Sequence, residues 1–128
     1  NDLCGCRVQL VEDNDLNREI AKSLLENYGV EVDTAENGQI AVDKFMADND
    51  DGYFAILMDI RMPVMDGLEA TRLIRSVNTP GARRVPILAM TANAFDEDKV
   101  TAFKAGMSGY LVKPLDVEVL VNELRKYL

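Results

Sequence analysis

The chain contains no histidine and only two cysteines, Cys4 and Cys6, among 128 residues. A zinc site of the Cys/His kind therefore cannot be assembled from this chain alone. So near the start, the Cys-x-Cys pair reads as strand-edge filler rather than as a redox pair. No stretch approaches the roughly 18 consecutive apolar residues of a membrane span, and no charged-then-apolar leader is read at the start. The expectation is a soluble protein in a reducing, cytoplasmic setting, without direct membrane contact. Positive charge is also scarce: 14 Lys and Arg stand against 22 Asp and Glu, giving a net charge of −8 and a pI near 4.5. Nucleic-acid binding needs a basic footprint, and adjacent basic residues are few, Arg83-Arg84 among them, so direct nucleic-acid contact is not expected.

What is present is enough apolar sequence, 48% of 128 residues, for one domain spanning residues 1–128. Repeats, low-complexity tracts and linkers are absent. Five short β-like runs alternate with five amphipathic ones. The β-like runs are Arg7 to Glu12, Val30 to Ala35, Tyr53 to Met58, Val85 to Met90 and Gly109 to Val112. Helical spacing relates Ile20, Leu24, Leu25 and Tyr28, then Ala70, Leu73, Ile74 and Val77. It recurs in Val100, Phe103 and Met107, in Val117, Leu120, Val121 and Leu124, and less cleanly in Ala41 and Phe45. Gly29 suits a helix C-terminus, Asp66 with Glu69 resembles a capping box, and Thr79-Pro80-Gly81 marks a turn. This alternation predicts an α/β fold, a (βα)5 doubly wound parallel sheet covered by helices.

In an open parallel sheet the ligand site lies outside the carboxyl ends of the strands. Polar residues that follow the strand runs should therefore converge: Glu12 and Asp13 in "VQLVEDN", Asp59 in "AILMD", Thr91 in "ILAMTAN" and Lys113 in "YLVKP". Three carboxylates brought together repel unless a cation lies among them. Oxygen donors without His or Cys suit Mg²⁺. With Lys113 as a fixed charge and Thr91 as a hydroxyl donor, the set fits a phosphoryl group, with Asp59 as nucleophile. "DNDDG", Asp48 to Gly52, resembles a calcium loop only superficially. The required sixth-position glycine is Tyr53, so this stretch reads as a solvated turn.

The ordered set "LVEDN", "LMDIRMPVMDG", "AMTA" and "GYLVKP" resembles the receiver domain of two-component response regulators from about Arg7 to Leu128. "VEDNDLNREI" and "MPVMDGLEATRLIR" are most similar to the receivers of hybrid sensor histidine kinases. The resemblance implies the flavodoxin-like strand order 2-1-3-4-5. It also implies that Asp59 accepts phosphate from a phosphohistidine, supplied by a histidine kinase or a histidine-phosphotransfer domain. Asp13 and Asp59 would bind Mg²⁺ directly, Glu12 through water, and the Arg61 backbone carbonyl would add a ligand. Thr91 and Lys113 would assist catalysis, Thr91 and Tyr110 would form a switch pair, and the Lys113–Pro114 bond would be cis. Such a domain catalyses its own aspartyl phosphorylation and dephosphorylation without a separate turnover reaction. Two other readings use a similar fold. A haloacid-dehalogenase-type phosphatase would place a second Asp where Arg61 stands, and a pseudo-receiver would bind partners without being phosphorylated. For docking, the helix that starts after Asn14 is expected to carry Ile20, Leu24, Leu25 and Tyr28 inward, with Leu16 near the acidic pocket.

Overall fold

Each apolar run becomes one strand of a single sheet: β1 (Arg7–Val11), β2 (Glu31–Ala35), β3 (Ala55–Asp59), β4 (Ile87–Thr91) and β5 (Gly109–Val112). The computed structural model describes residues 3–47, 52–77, 79–92 and 96–128. Most of the Asp48–Gly52 stretch read as a turn lies outside them. All pairings are parallel, in the order β2-β1-β3-β4-β5, which is the expected one. The intervening segments form α1 (Asp15–Glu26), α2 (Gly38–Ala47), α3 (Gly67–Ser76), α4 (Pro80–Arg84), α5 (Asp96–Ala105) and α6 (Val117–Arg125). Because β1 is flanked by β2 and β3, the chain leaves β1 in one direction and returns on the other side. The crevice at this reversal opens above the carboxyl ends of β1 and β3.

Both faces of the sheet are covered, so β3 and β4 are buried along their whole lengths. Val11, Ile56, Met58 and Ile87 pack with Ala41, Phe45 and Ile74 on one face. On the other, Leu10, Leu57, Leu88 and Met90 pack with Leu25, Leu120 and Leu124. Short polar side chains start the helices: Asn14 Oδ1 accepts from Asn17 N, Asp66 Oδ1 from Glu69 N and Asp116 Oδ1 from Glu118 N, each at 2.9 Å. Gly29, just beyond α1, has φ of +80°, the left-handed conformation expected after a helix C-terminus.

Several inward-facing assignments are corrected. Ile20, Leu73, Val100 and Phe103 are exposed, whereas Ala21, Ala102 and Ala105 are buried, and Ala70 is buried on the expected stripe. Helices lying close on a sheet need small side chains at the line of contact, and the large apolar residues flank it. Leu25 is buried as expected, and Leu24 and Tyr28 are half-buried. Thr79-Pro80-Gly81 does not make a simple turn but starts α4: Thr79 caps it, Ala82 N donating to Thr79 Oγ1 at 3.2 Å, with Pro80 in its first turn.

Two polar clusters tie elements together away from the carboxyl edge. Asp33 of β2 accepts from the Tyr53 hydroxyl and from Lys44 Nζ at 3.1 Å, and it pairs with Arg7 at 3.6 Å. Burial would raise the Asp33 carboxyl, but these partners outweigh it and hold it below the usual range. Arg75 of α3 donates to the Gly106 carbonyl at 2.9 Å, the Ala82 carbonyl at 3.0 Å and Ser108 Oγ at 3.3 Å. One guanidinium thus joins α3, α4 and the segment entering β5. Replacing Arg75 with Met is expected to cost about 2–3 kcal/mol, because part-buried carbonyls lose their donors. Urea unfolding checks this, and the expected result is a lower midpoint at unchanged slope.

Candidate functional site

The acidic site is assembled where β1 and β3 end. Glu12 N continues the β1 ladder by donating to the Ala35 carbonyl at 3.1 Å, which fixes the residue just beyond the strand. Asp59 is the last residue of β3, paired in register with Met90 of β4. Glu12 and Asp59 are 3% and 5% exposed, and Asp13 beside them is open to solvent. Carboxylate oxygens of Glu12, Asp13 and Asp59 lie within 4.8 Å of one another. Lys113, just past β5, reaches back over this group, its Nζ 2.9 Å from Glu12 Oε2 and 3.1 Å from Asp59 Oδ2. The Lys113 backbone is pinned as well, its N–H donating to the Thr91 carbonyl at 2.7 Å.

The electrostatics follow from burial and from the crowding of like charges. Burial first, and then the charge of Glu12, push the Asp59 carboxyl up to about 6, while Lys113 and a backbone hydrogen bond with Arg61 only partly offset them. Desolvation alone would lower the Lys113 ammonium, but hydrogen bonds and charge from Glu12 and Asp59 raise it. The donors are all hard oxygens in a net-negative cleft, which is the chemistry that Mg²⁺ selects. These residues fit such an ion.

A cleft of about 490 Å³ is lined by Glu12, Asp13, Asp59, Arg61, Thr91 and Lys113, together with Asn14, Asn17 and Ala92. Six of the seven site residues named from sequence therefore share one opening. Tyr110 does not line it. That residue is half-buried on β5, with Lys99 Nζ 4.6 Å from its ring centroid, and it lines a separate groove with Phe103 and Val119. The Lys113–Pro114 bond is cis, as expected. Asn14, which lines the cleft, also caps α1. The sequence reading missed Arg18, whose Nη1 donates to the Glu12 carbonyl at 2.9 Å while its other nitrogen pairs with Asp15. No residue-type signal marks it, because its partner is a backbone carbonyl. Gly67 was also missed: a Cβ built there would overlap the Asp59 carbonyl oxygen, so α3 begins hard against the end of β3.

The sequence matches the family model for the response regulator receiver domain over residues 8–125. The chain belongs to that family. It is 36% identical to Histidine kinase 5 of Arabidopsis thaliana over 95% of its own length and 16% of that protein's. It is 38% identical to Hybrid signal transduction histidine kinase M of Dictyostelium discoideum over 93% of its length and 5% of that protein's. The chain thus spans a small fraction of these curated relatives. Among solved structures, it resembles the receiver domain of a Pseudomonas aeruginosa sensor histidine kinase with magnesium coordinated in the active-site cleft. That match has a TM-score of 0.83 and 39% identity, covering 97% of this chain and 98% of the other. A Saccharomyces cerevisiae receiver domain, co-crystallised with a histidine phosphotransfer signaling protein, matches with a TM-score of 0.87 and 32% identity, covering 98% and 90%. Among the described residues no helix is long and apolar enough to cross a membrane.

The raised Asp59 carboxyl gives a stability prediction whose sign is fixed. With a folded pKa of about 6 against roughly 3.9 unfolded, the native state binds the extra proton between these values, so stability falls as pH rises across that window. Asp59→Asn removes this cost. In chelator at pH 7.5 the variant is expected to be more stable than the parent by about 1–3 kcal/mol, an advantage that shrinks to nothing by about pH 4. Thermal melts of both proteins across this range check it.

Proposed function

We propose that this receiver domain is the phosphoacceptor of a two-component phosphorelay, taking a phosphoryl group from a phosphohistidine onto Asp59. The observation that carries the reading is the clamp of Lys113 across Glu12 and Asp59 beside solvent-open Asp13, at the carboxyl edge of a receiver-family sheet. Asp13, Asp59 and the Arg61 backbone carbonyl would hold Mg²⁺ directly, and Glu12 would hold it through water. When bound, the ion supplies Lewis-acid neutralisation of phosphoryl oxygens.

With its carboxyl at about 6, Asp59 is ionised at neutral pH, and one Oδ attacks phosphorus in line with the P–N bond. The P–O bond forms as the P–N bond breaks. The electron pair leaves with the imidazole nitrogen, and the donor histidine, protonated on its other ring nitrogen, departs neutral. Lys113 already stands beside Asp59 and stays charged, so it can follow the growing negative charge onto the phosphoryl group. Thr91, one position past Met90 in the strand beside Asp59, offers a hydroxyl to a phosphoryl oxygen. Drawing that hydroxyl inward would open space for Tyr110, which makes the pair a two-position switch.

The donor is a histidine kinase or a histidine-phosphotransfer domain docking beside α1. A second cavity, of about 400 Å³, lies between α1 and the segment after β5. Ile20, Leu24, Ala92, Pro114 and Leu115 line it, and it shares Glu12, Asn17 and Lys113 with the acidic cleft. Leu16, 68% exposed in the first turn of α1, would extend the apolar surface offered to the partner. A partner helix seated there would bring its phosphohistidine to Asp59.

Mass spectrometry after incubation with Mg²⁺ and acetyl phosphate tests the acceptor. One added phosphate is expected on the parent and none on Asp59→Asn, and phosphate on both would sink the assignment. Paired variants test the docking. Leu16→Ala and Ile20→Ala should slow transfer from a phosphorylated histidine-phosphotransfer protein about tenfold, the scale of a lost interface anchor. Their acetyl-phosphate rate should not change, and equal loss in both assays would move the docking surface elsewhere.

A further inference from the structure

Arg18 is oddly placed for a helix residue. It lies in the first turns of α1, where the macrodipole disfavours a cation, and its side chain is only 12% exposed. A solvated role does not account for it. Its guanidinium instead turns back toward the loop before the helix, where Nη1 donates to the Glu12 carbonyl at 2.9 Å. Every other Glu12 group is held from a different direction. Its N–H donates to Ala35 O at 3.1 Å, Oε1 accepts from Asn14 N at 3.2 Å, and Oε2 meets Lys113. The carbonyl, which begins the peptide unit leading to Asp13, is the group that Arg18 holds.

We infer that Arg18 is a positioning residue for the divalent-cation site, fixing the Glu12–Asp13 peptide so that the Asp13 carboxylate faces Asp59. The inference rests on the proposed assignment of Glu12, Asp13 and Asp59 to Mg²⁺. Its logic is that of a second layer of contacts that orients ligands without touching the ion. Asp15, the other partner of Arg18, is an exposed carboxylate that neutralises the guanidinium and steers it, and it has no part in holding Glu12.

Geometry and charge predict opposite results, which makes the inference testable. Arg18 is a cation near a cation site, so Coulomb repulsion alone says that removing it tightens Mg²⁺ binding. Positioning says that removal weakens it. Isothermal titration with MgCl₂ on Arg18→Met and Arg18→Lys separates the two, because Met loses charge and donor together while Lys keeps a charged donor on an arm nearly as long. The expected result is an affinity about tenfold weaker for Arg18→Met, in the range seen when an outer contact is lost, with Arg18→Lys within about threefold of the parent. Asp15→Asn is expected to leave affinity unchanged. Melting in chelator accompanies each titration, since a purely structural role would lower the midpoint of Arg18→Met without changing Mg²⁺ affinity measured well below it. Parental or tighter binding by Arg18→Met, or equal weakening in Met and Lys, would overturn the inference while leaving the metal assignment standing. Absence of Mg²⁺ binding by the parent protein would overturn both.

Discussion

Two carboxylates, Glu12 and Asp59, are buried side by side at the edge of the sheet, and one ammonium, that of Lys113, spans them. Uncompensated, this pair would destabilise the fold, because desolvation and mutual repulsion act in the same direction. Much of the surrounding architecture serves to hold the arrangement. The ladder bond from Glu12 to Ala35 sets one carboxylate, and the β3–β4 register sets the other. The bond from Lys113 N to the Thr91 carbonyl sets the cation. The β2-β1-β3-β4-β5 order is what allows residues so far apart in sequence to meet.

The compensation is incomplete, and that incompleteness is chemically useful. An Asp59 carboxyl near 6 is more basic than an ordinary aspartate yet ionised at neutral pH. Such a group is a better nucleophile than a fully neutralised one and gains most from an arriving cation or phosphoryl group. On the proposed reading, stability is given up at the place where binding would restore it.

The strand-end chemistry was legible in the sequence because topology converts position into proximity. Once five alternating units are recognised, Asp13, Asp59, Thr91 and Lys113 must lie along one edge. The helix faces were less legible. In α5 the inward positions fall to Ala102 and Ala105 while Val100 and Phe103 are exposed. A reading weighted toward large apolar side chains picks the wrong stripe where a helix lies close to a sheet. α4 was hidden because Thr-Pro-Gly marks helix starts as readily as turns. Arg18 was hidden for a different reason: its partner is a backbone carbonyl, which leaves no trace in residue identities.

Arg75 and Lys113 can be contrasted as fasteners. Lys113 grips two titratable groups, so its hold varies with their protonation. Arg75 grips the carbonyls of Gly106 and Ala82 and the hydroxyl of Ser108, none of which gains or loses charge near neutrality. The joint between α3, α4 and the approach to β5 is therefore blind to pH and only weakly sensitive to salt. β5 hangs between the two, with one end on a fixed hinge and the other on a catch that chemistry can release.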